Sequence, residues 1–348
     1  MTEARAQANI LRVVGDLESM VIHIGMPKTG STAIQDALAA NRDRLAESGV
    51  HYPRSASKGS AHHPLAWSVA LHRRPRDDVK SLSDYMTALN LELQNSSGIA
   101  ILSSEALFHL PSQELRQILE WARTLSRTQR LLVYVRPPAA FHEAWYRQLV
   151  KTSKYSRTFE EHLRMAPIVD SLTRLESAEG AIGRSRLLVR PYIRSAFTDG
   201  DVIGDFCSTL GIGPVDWKTR LADANPSLDV ELVEFKVRLH KLGVDHSPLL
   251  ASALLDWSSR RKHSSRSLFT PQSWEAFIAT TEPRHLEVLR RYGLPAELTD
   301  QQPSQLTGHS LTTEGARRLY SEFGERYPAV ARASFDRALA GSEVEWSG

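Results

Sequence analysis

The chain has 348 residues, 41% hydrophobic and 24% charged, with 43 Lys and Arg against 40 Asp and Glu for a formal charge of +3. That composition belongs to a globular protein able to bury a sizeable core and excludes wholesale disorder. So small a charge over so long a chain also excludes a partner that needs a concentrated basic face, nucleic acid above all.

In chain order, residues 20–24 form a short apolar run that leads into a glycine-bounded loop, and 31–45 read as one helix with Ile34, Leu38 and Leu45 on a single side. Residues 98–102 are a second buried-strand candidate, followed by a helical pattern over 112–125. Residues 131–135 are a third, stopped by Arg136-Pro137-Pro138, with a helix through Phe141, Trp145 and Leu149 behind it. Residues 186–189 are a fourth, ended by Pro191 and followed by a helix over 201–210. Repeated strand-loop-helix units predict an α/β fold, a central and mainly parallel sheet flanked by helices. Beyond Pro214 the strand signals vanish, while Leu228, Leu232, Phe235, Leu239 and Leu242 repeat at helical spacing. We therefore expect an α/β core over 18–214 and a helical C-terminal extension over 215–348.

The single cysteine, Cys207, rules out an internal disulfide and a thiolate metal cluster and reads as a buried structural thiol. No stretch reaches the apolar length of a transmembrane helix, and the polar start Met1-Thr2-Glu3-Ala4-Arg5 leads into no signal-peptide pattern. The expected location is the cytoplasm. The one basic cluster, Ser258 to Arg266 with its cations at 260–266, reads as a solvated loop; a flap over an anionic ligand is the alternative.

The strongest motif is Val21-Ile22-His23-Ile24-Gly25-Met26-Pro27-Lys28-Thr29-Gly30-Ser31-Thr32. A buried strand enters a turn that carries a lysine and then opens a helix through two hydroxyl residues. Helix N–H groups, the positive end of the dipole and the Lys28 ammonium would converge there on one anion. Residue order separates the possible ligands. An ATP or GTP loop of the Walker type places its lysine after the second glycine. Here Lys28 precedes Gly30, and the strand run Val133-Tyr134-Val135 ends in Arg136 rather than in an acid that would hold Mg²⁺. The loop suits an anion bound without a metal.

Lys28-Thr29-Gly30-Ser31-Thr32 after a strand resembles the 5′-phosphosulfate loop of sulfotransferases that use 3′-phosphoadenosine 5′-phosphosulfate (PAPS), a P-loop-like fold. Ser103-Ser104-Glu105 is similar to a strand-end segment of bacterial members. Tyr134-Val135-Arg136-Pro137, with Tyr146-Arg147-Gln148-Leu149-Val150-Lys151 behind it, resembles the family's 3′-phosphate segment. Val189-Arg190-Pro191-Tyr192 with Asp205-Phe206, and Asn225-Pro226-Ser227-Leu228, are similar to further segments, so the resemblance covers about residues 20–240. It implies that Lys28, Thr29, Gly30, Ser31, Thr32, Arg136, Arg147 and Tyr192 hold PAPS or its product 3′-phosphoadenosine 5′-phosphate (PAP), with no metal. One position departs: a serine usual eight residues after the arginine is Ala144 here. Its loss removes one hydrogen bond, net worth about 0.5–1.5 kcal/mol. Arg147, Lys151 or the 260–266 cluster would compensate.

The acceptor side needs a base for the acceptor proton, and His or Glu suit that role at neutral pH. The candidates are His62, His63, Glu105 and His51. Ala61-His62-His63-Pro64-Leu65-Ala66 resembles a His-His-x-Leu-Ala segment of bacterial relatives, and two adjacent rings point in different directions, so at most one faces a substrate. Adjacent imidazoles without a spaced carboxylate or third His are a poor match to metal-ligand spacing. His51 is more simply part of a strand, and His23 reads as a packed strand histidine. Tyr192, Trp145, Tyr146 and Phe108 are the aromatics expected near nucleotide or acceptor. The implied reaction moves a sulfuryl group to a hydroxyl, or second to an amine, of a small molecule, lipid or saccharide. Two readings stay beside it: a nucleotide-binding protein of the same fold with altered chemistry, and an atypical P-loop kinase.

Overall fold

A computed structural model describes residues 16–165, 169–213, 217, 228–261, 266–308 and 310–339. From the start of that chain come β1 (Asp16–His23), α1 (Ser31–Ala40), α2 (Arg42–Glu47), β2 (Val50–His51), α3 (His63–Val69), α4 (Leu82–Leu93), β3 (Ser97–Ser103), α5 (Ser112–Ala122) and β4 (Ser126–Val135). Then follow α6 (Pro138–Thr152), α7 (Phe159–Met165), α8 (Ser171–Ile182), β5 (Leu187–Pro191) and α9 (Val202–Leu210). The remainder is α10 (Val230–Lys241), α11 (Pro248–Ser259), β6 (Arg266–Ser267), α12 (Pro271–Tyr292), β7 (Gln305–Leu306), α13 (Thr313–Arg326) and α14 (Pro328–Leu339). The described residues fall into two units. One lies within Met1–Arg136, Asp170–Ala224 and Arg284–Leu298, the other within Pro137–Val169, Asn225–Pro283 and Thr299–Gly348.

The first unit is an α/β sheet of five parallel strands in the order β2-β3-β1-β4-β5. β1 is central and buried from Ser19 to His23, with Ile22 opposite Leu102 of β3 and Leu131 of β4. One face packs Val21, Ile101, Leu132 and Tyr134 against Ile34 and Leu38 of α1 and Ile203 and Phe206 of α9. α5 and α8 lie against β4. After β1 the chain turns toward β2 and β3, whereas after β4 it turns toward β5. The reversal opens a crevice at the carboxyl ends of β1 and β4, where ligands of open α/β sheets bind.

Four boundaries differ from the sequence pattern. β1 starts at Asp16 and β4 at Ser126, ahead of their apolar runs, because backbone pairing (Asp16 with Ser97, Leu17 with Ser126) carries polar residues into the ladder. The expected helix over 31–45 is two helices, separated at Asn41, whose Nδ2 donates to Ala37 O at 2.8 Å in place of a continued turn. α5 ends at Ala122, where the Thr124 hydroxyl donates to Trp121 O. Cys207 is buried in the α1–α9 face, and burial raises its thiol to about 12, so it packs as an apolar group.

The second unit is helical around a core that includes Phe159, Phe235, Phe269 and Phe323. Asp300 caps α6 by accepting from Ala139 N and Ala140 N. The second unit also holds a two-residue parallel pair, β6 with β7, too short to leave a periodic signal. Residues 225–227 of the Asn-Pro-Ser-Leu segment and 262–265 of the basic cluster lie outside the described residues. Of the flanking cations, Arg260 pairs with Asp256, and Arg261 and Arg266 with Glu231. Among the described residues, no helix is long and apolar enough to cross a membrane.

Candidate active site

β1 delivers its chain into the crevice through a turn at Pro27–Lys28 and a helix that starts at Ser31. Lys28 has φ 65°, a left-handed conformation that costs a side-chain-bearing residue about 1 kcal/mol or more and clusters at functional sites. Gly30 takes φ 75° as the N-cap of α1, and it supplies no capping side chain. Nor does an acid stand in the first turn. α4, α8, α9, α11 and α13 are built differently, each starting under a side chain that accepts a backbone N–H: Ser81, Asp170, Asp201, Ser247 and Thr312. α1 thus presents its positive end to whatever enters the loop. Thr29 and Ser31 are buried, the Thr29 hydroxyl donating to Met26 O at 2.5 Å, while Lys28 and Thr32 stay partly exposed.

Arg136, directly after β4, closes the other wall. Its Nη1 donates to Lys28 O at 3.0 Å, so two cationic residues meet at one loop across the reversal between β1 and β4. Tyr192 follows β5, held by its N–H to Val135 O at 2.7 Å. Its ring lies 5.8 Å from the Arg136 guanidinium and 3.1 Å from where a Cβ on Gly30 would stand. Lys28, Thr29, Gly30, Ser31, Thr32, Arg136 and Tyr192 therefore form one cluster. Arg147 belongs to the other unit, where it pairs with Glu143 at 2.5 Å and donates to Leu228 O. Trp145 stacks on Phe141 and Tyr146 donates to Arg157 O in that same unit. Phe108 is buried in the sheet unit.

The carboxyl end of β3 carries the acceptor-side candidates. Ser104 N donates to His23 O at 3.0 Å, which aligns this end with that of β1. His62 is fully buried with both ring nitrogens engaged: Ser103 N donates to Nδ1 at 3.1 Å, and Nε2 donates to Pro53 O at 3.0 Å. Burial lowers its pKa to about 4 and keeps it neutral. It works as a pin for the loop that leads into α3. His63 is partly exposed, with Nδ1 2.8 Å from Ser104 Oγ and Nε2 3.8 Å from Glu105 Oε1. Its ring stacks on Trp67 at 5.4 Å, and the Arg76 guanidinium lies over the Trp67 ring at 4.0 Å. Glu105 Oε2 in turn accepts from Gln35 of α1 at 3.0 Å. His51 is in β2, with its Nε2 2.9 Å from Ser97 O.

Gln35 and Trp67 are the members sequence reasoning did not single out. A polar residue beside Ile34, on the buried side of α1, was the available signal for the first. Among the described residues, no group of three or more His, Cys, Asp or Glu is arranged to hold a metal.

No protein-family model matches the chain. It is 27% identical over 197 residues to an uncharacterized protein of Archaeoglobus fulgidus, an alignment that covers 55% of this chain and 53% of that protein. The chain thus spans about half the length of the curated relative it matches. Among solved structures it aligns with a sulfotransferase from Alicyclobacillus acidocaldarius at a TM-score of 0.45 and 12% identity, over 81% of this chain and 98% of the other. It aligns with the sulfotransferase domain of the Synechococcus olefin synthase at 0.29 and 14%, over 71% and 97%. Likeness at that level leaves the function to be argued from the site.

Proposed function

We propose that the chain is a PAPS-dependent sulfotransferase, moving the sulfuryl group to a hydroxyl of a small-molecule, lipid or saccharide acceptor. The observation that carries this reading is the Arg136–Lys28 contact, which sets a second cation on the loop of an uncapped helix at the sheet's crevice. The loop fits a phosphate-type anion: its glycines leave no Cβ in the way, its helix start is free of acids, and its lysine precedes the second glycine.

In this reading the nucleotide supplies a sulfuryl group joined to its 5′-phosphate. The amides at Gly30 to Thr32 hold that phosphate, Lys28 offsets charge at the bridging oxygen, and Arg136 binds a phosphate through its fork. His63, backed by Glu105 and stacked on Trp67, takes the acceptor proton. His62 holds the loop in place. The α/β core at 18–214 and the helical remainder at 215–348 stay our division of cofactor binding from the rest, and the enzyme would act in the cytoplasm.

One observation favours a second reading. Glu105 stands two residues past the end of β3 and is tied to α1, where a carboxylate could share a Mg²⁺ with Ser31 or Thr32 in a kinase. Calorimetry with PAP, PAPS and ATP, each with and without Mg²⁺, separates the two. Metal-independent binding of PAP and PAPS in preference to ATP is expected. Binding of ATP alone, and only with Mg²⁺, would make the chain a kinase.

A further inference from the structure

His23, the last residue of β1, is a buried group that the proposed reaction leaves unused. It packs edge-on to Tyr134 and Phe206 at 6.1 and 5.5 Å. Nδ1 is 2.8 Å from Ser103 Oγ, whereas Nε2 has no hydrogen-bond partner among the described residues. Folded proteins leave few buried polar atoms in that condition. The position of Nε2 is informative. It lies 2.9 Å from where a Cβ on Gly25 would stand, and Ser31 Oγ lies 3.1 Å from the same point. The ring nitrogen and the first hydroxyl of α1 therefore face one small space at the base of the loop, a space that any side chain at position 25 would fill.

Hydrogen bonding decides which nitrogen carries the proton. Gln35 Nε2 donates to Glu105 Oε2 at 3.0 Å and to Ser103 Oγ at 3.1 Å. An ionised carboxylate only accepts, so Glu105 orients the amide, and Ser103 receives the second hydrogen. With its oxygen accepting from Gln35, the Ser103 hydroxyl can donate to His23 Nδ1, the arrangement that places the imidazole proton on Nε2. Burial lowers the ring's pKa to about 4, so it stays neutral with a single N–H. Donation runs one way, from Gln35 through Ser103 to His23, an arrangement in which each bond polarises the next.

We propose that His23 is a positioning residue of the loop, donating a hydrogen bond from Nε2 to an oxygen of the anion bound over residues 25–30. The inference rests on the reading of that loop as an anion site and deepens it. It also links the two halves of the site, because Glu105 and the anion would share the Gln35–Ser103–His23 line.

The test is nitrogen NMR of ¹⁵N-histidine-labelled protein, with His23→Gln used to assign the signal, in titrations with PAP and, separately, inorganic phosphate, each followed by calorimetry. Nε2 is expected to carry the proton in the free protein, and its N–H resonance to move along the PAP binding curve. His23→Leu should weaken PAP binding about tenfold or more, as loss of a hydrogen bond to a charged group does, and His23→Gln should recover part of it. A proton on Nδ1, or a resonance unmoved by bound PAP, overturns the proposal. If phosphate moves the resonance while PAP does not bind, the role of His23 stands and the nucleotide reading falls. If neither binds, both fall.

Discussion

His62 and His63 share a peptide bond and have opposite surroundings: the first is sealed between Ser103 N and Pro53 O, the second lies open beside Glu105. Deleting the first ring would leave a closed cavity and an unpaired Ser103 N–H, whereas deleting the second removes a partly exposed ring and leaves the Ser104 oxygen still accepting from Ala106 N. His62→Ala is therefore expected to cost about 2–3 kcal/mol of folding stability in urea denaturation. His63→Ala should cost less than about 1 kcal/mol and instead lower turnover at saturating PAPS by about 10²–10⁴-fold. A full loss of turnover in a stable His62 variant would exchange the two roles.

The same burial sets an acid limit. His23 and His62 have pKa values near 4 when folded and near 6.5 when unfolded. Between those values the unfolded chain takes up protons that the folded one refuses, so stability falls as pH drops from about 6.5 to about 4. Each ring accounts for up to about 3 kcal/mol over that window. His142 and His240 are also lowered to about 4 by burial, so denaturation at a series of pH values should show a limb that they share, and it should be less steep by about a quarter or less in His62→Gln. An unchanged slope would mean that His62 is protonated in the fold.

At the loop, Arg136→Ala removes the guanidinium that donates from Nη1 to Lys28 O and would bind a phosphate, and PAP affinity measured by calorimetry should fall about 10–100-fold. Arg136→Lys should restore little of it, since an ammonium cannot make both contacts.

Lys28→Ala should abolish transfer. Lys28→Gly should be equally inactive yet more stable than Lys28→Ala by about 1 kcal/mol, because φ 65° suits glycine and strains alanine. Equal stability of the two variants would show that the loop relaxes once the lysine is gone.

Behind the crevice, Asp205 is fully buried and pairs with Arg190, while the Tyr134 hydroxyl donates to it at 2.8 Å. Removing that carboxylate strands both partners. Asp205→Ala should cost about 3–5 kcal/mol, read as an early denaturation midpoint with no change in the residues of the loop.

Features confined to a few consecutive residues were legible in advance. The loop at 25–30 needs only a strand, two glycines, a lysine and a helix start, all within one short stretch. What escaped depends on partners distant in sequence. The fates of His62 and His63 are decided by Pro53, Ser103 and Glu105, and the role of Gln35 by the same β3 end. Asn41 breaks a helix whose apolar spacing continues to Leu45, because its amide competes for a backbone carbonyl. The strand order could not be read either, since no local pattern states which apolar runs are neighbours.

That central position of β1 has a kinetic consequence. Its contacts reach 80 residues forward, from His23 to Ser103, and 110 forward, from Glu18 to Thr128. Closing such long segments lifts contact order and slows folding. The loop that follows β1 is thus among the last residues to acquire its working shape, since its far wall, Arg136, arrives only with the end of β4. Truncations that stop short of that strand should retain helices and bind no anion.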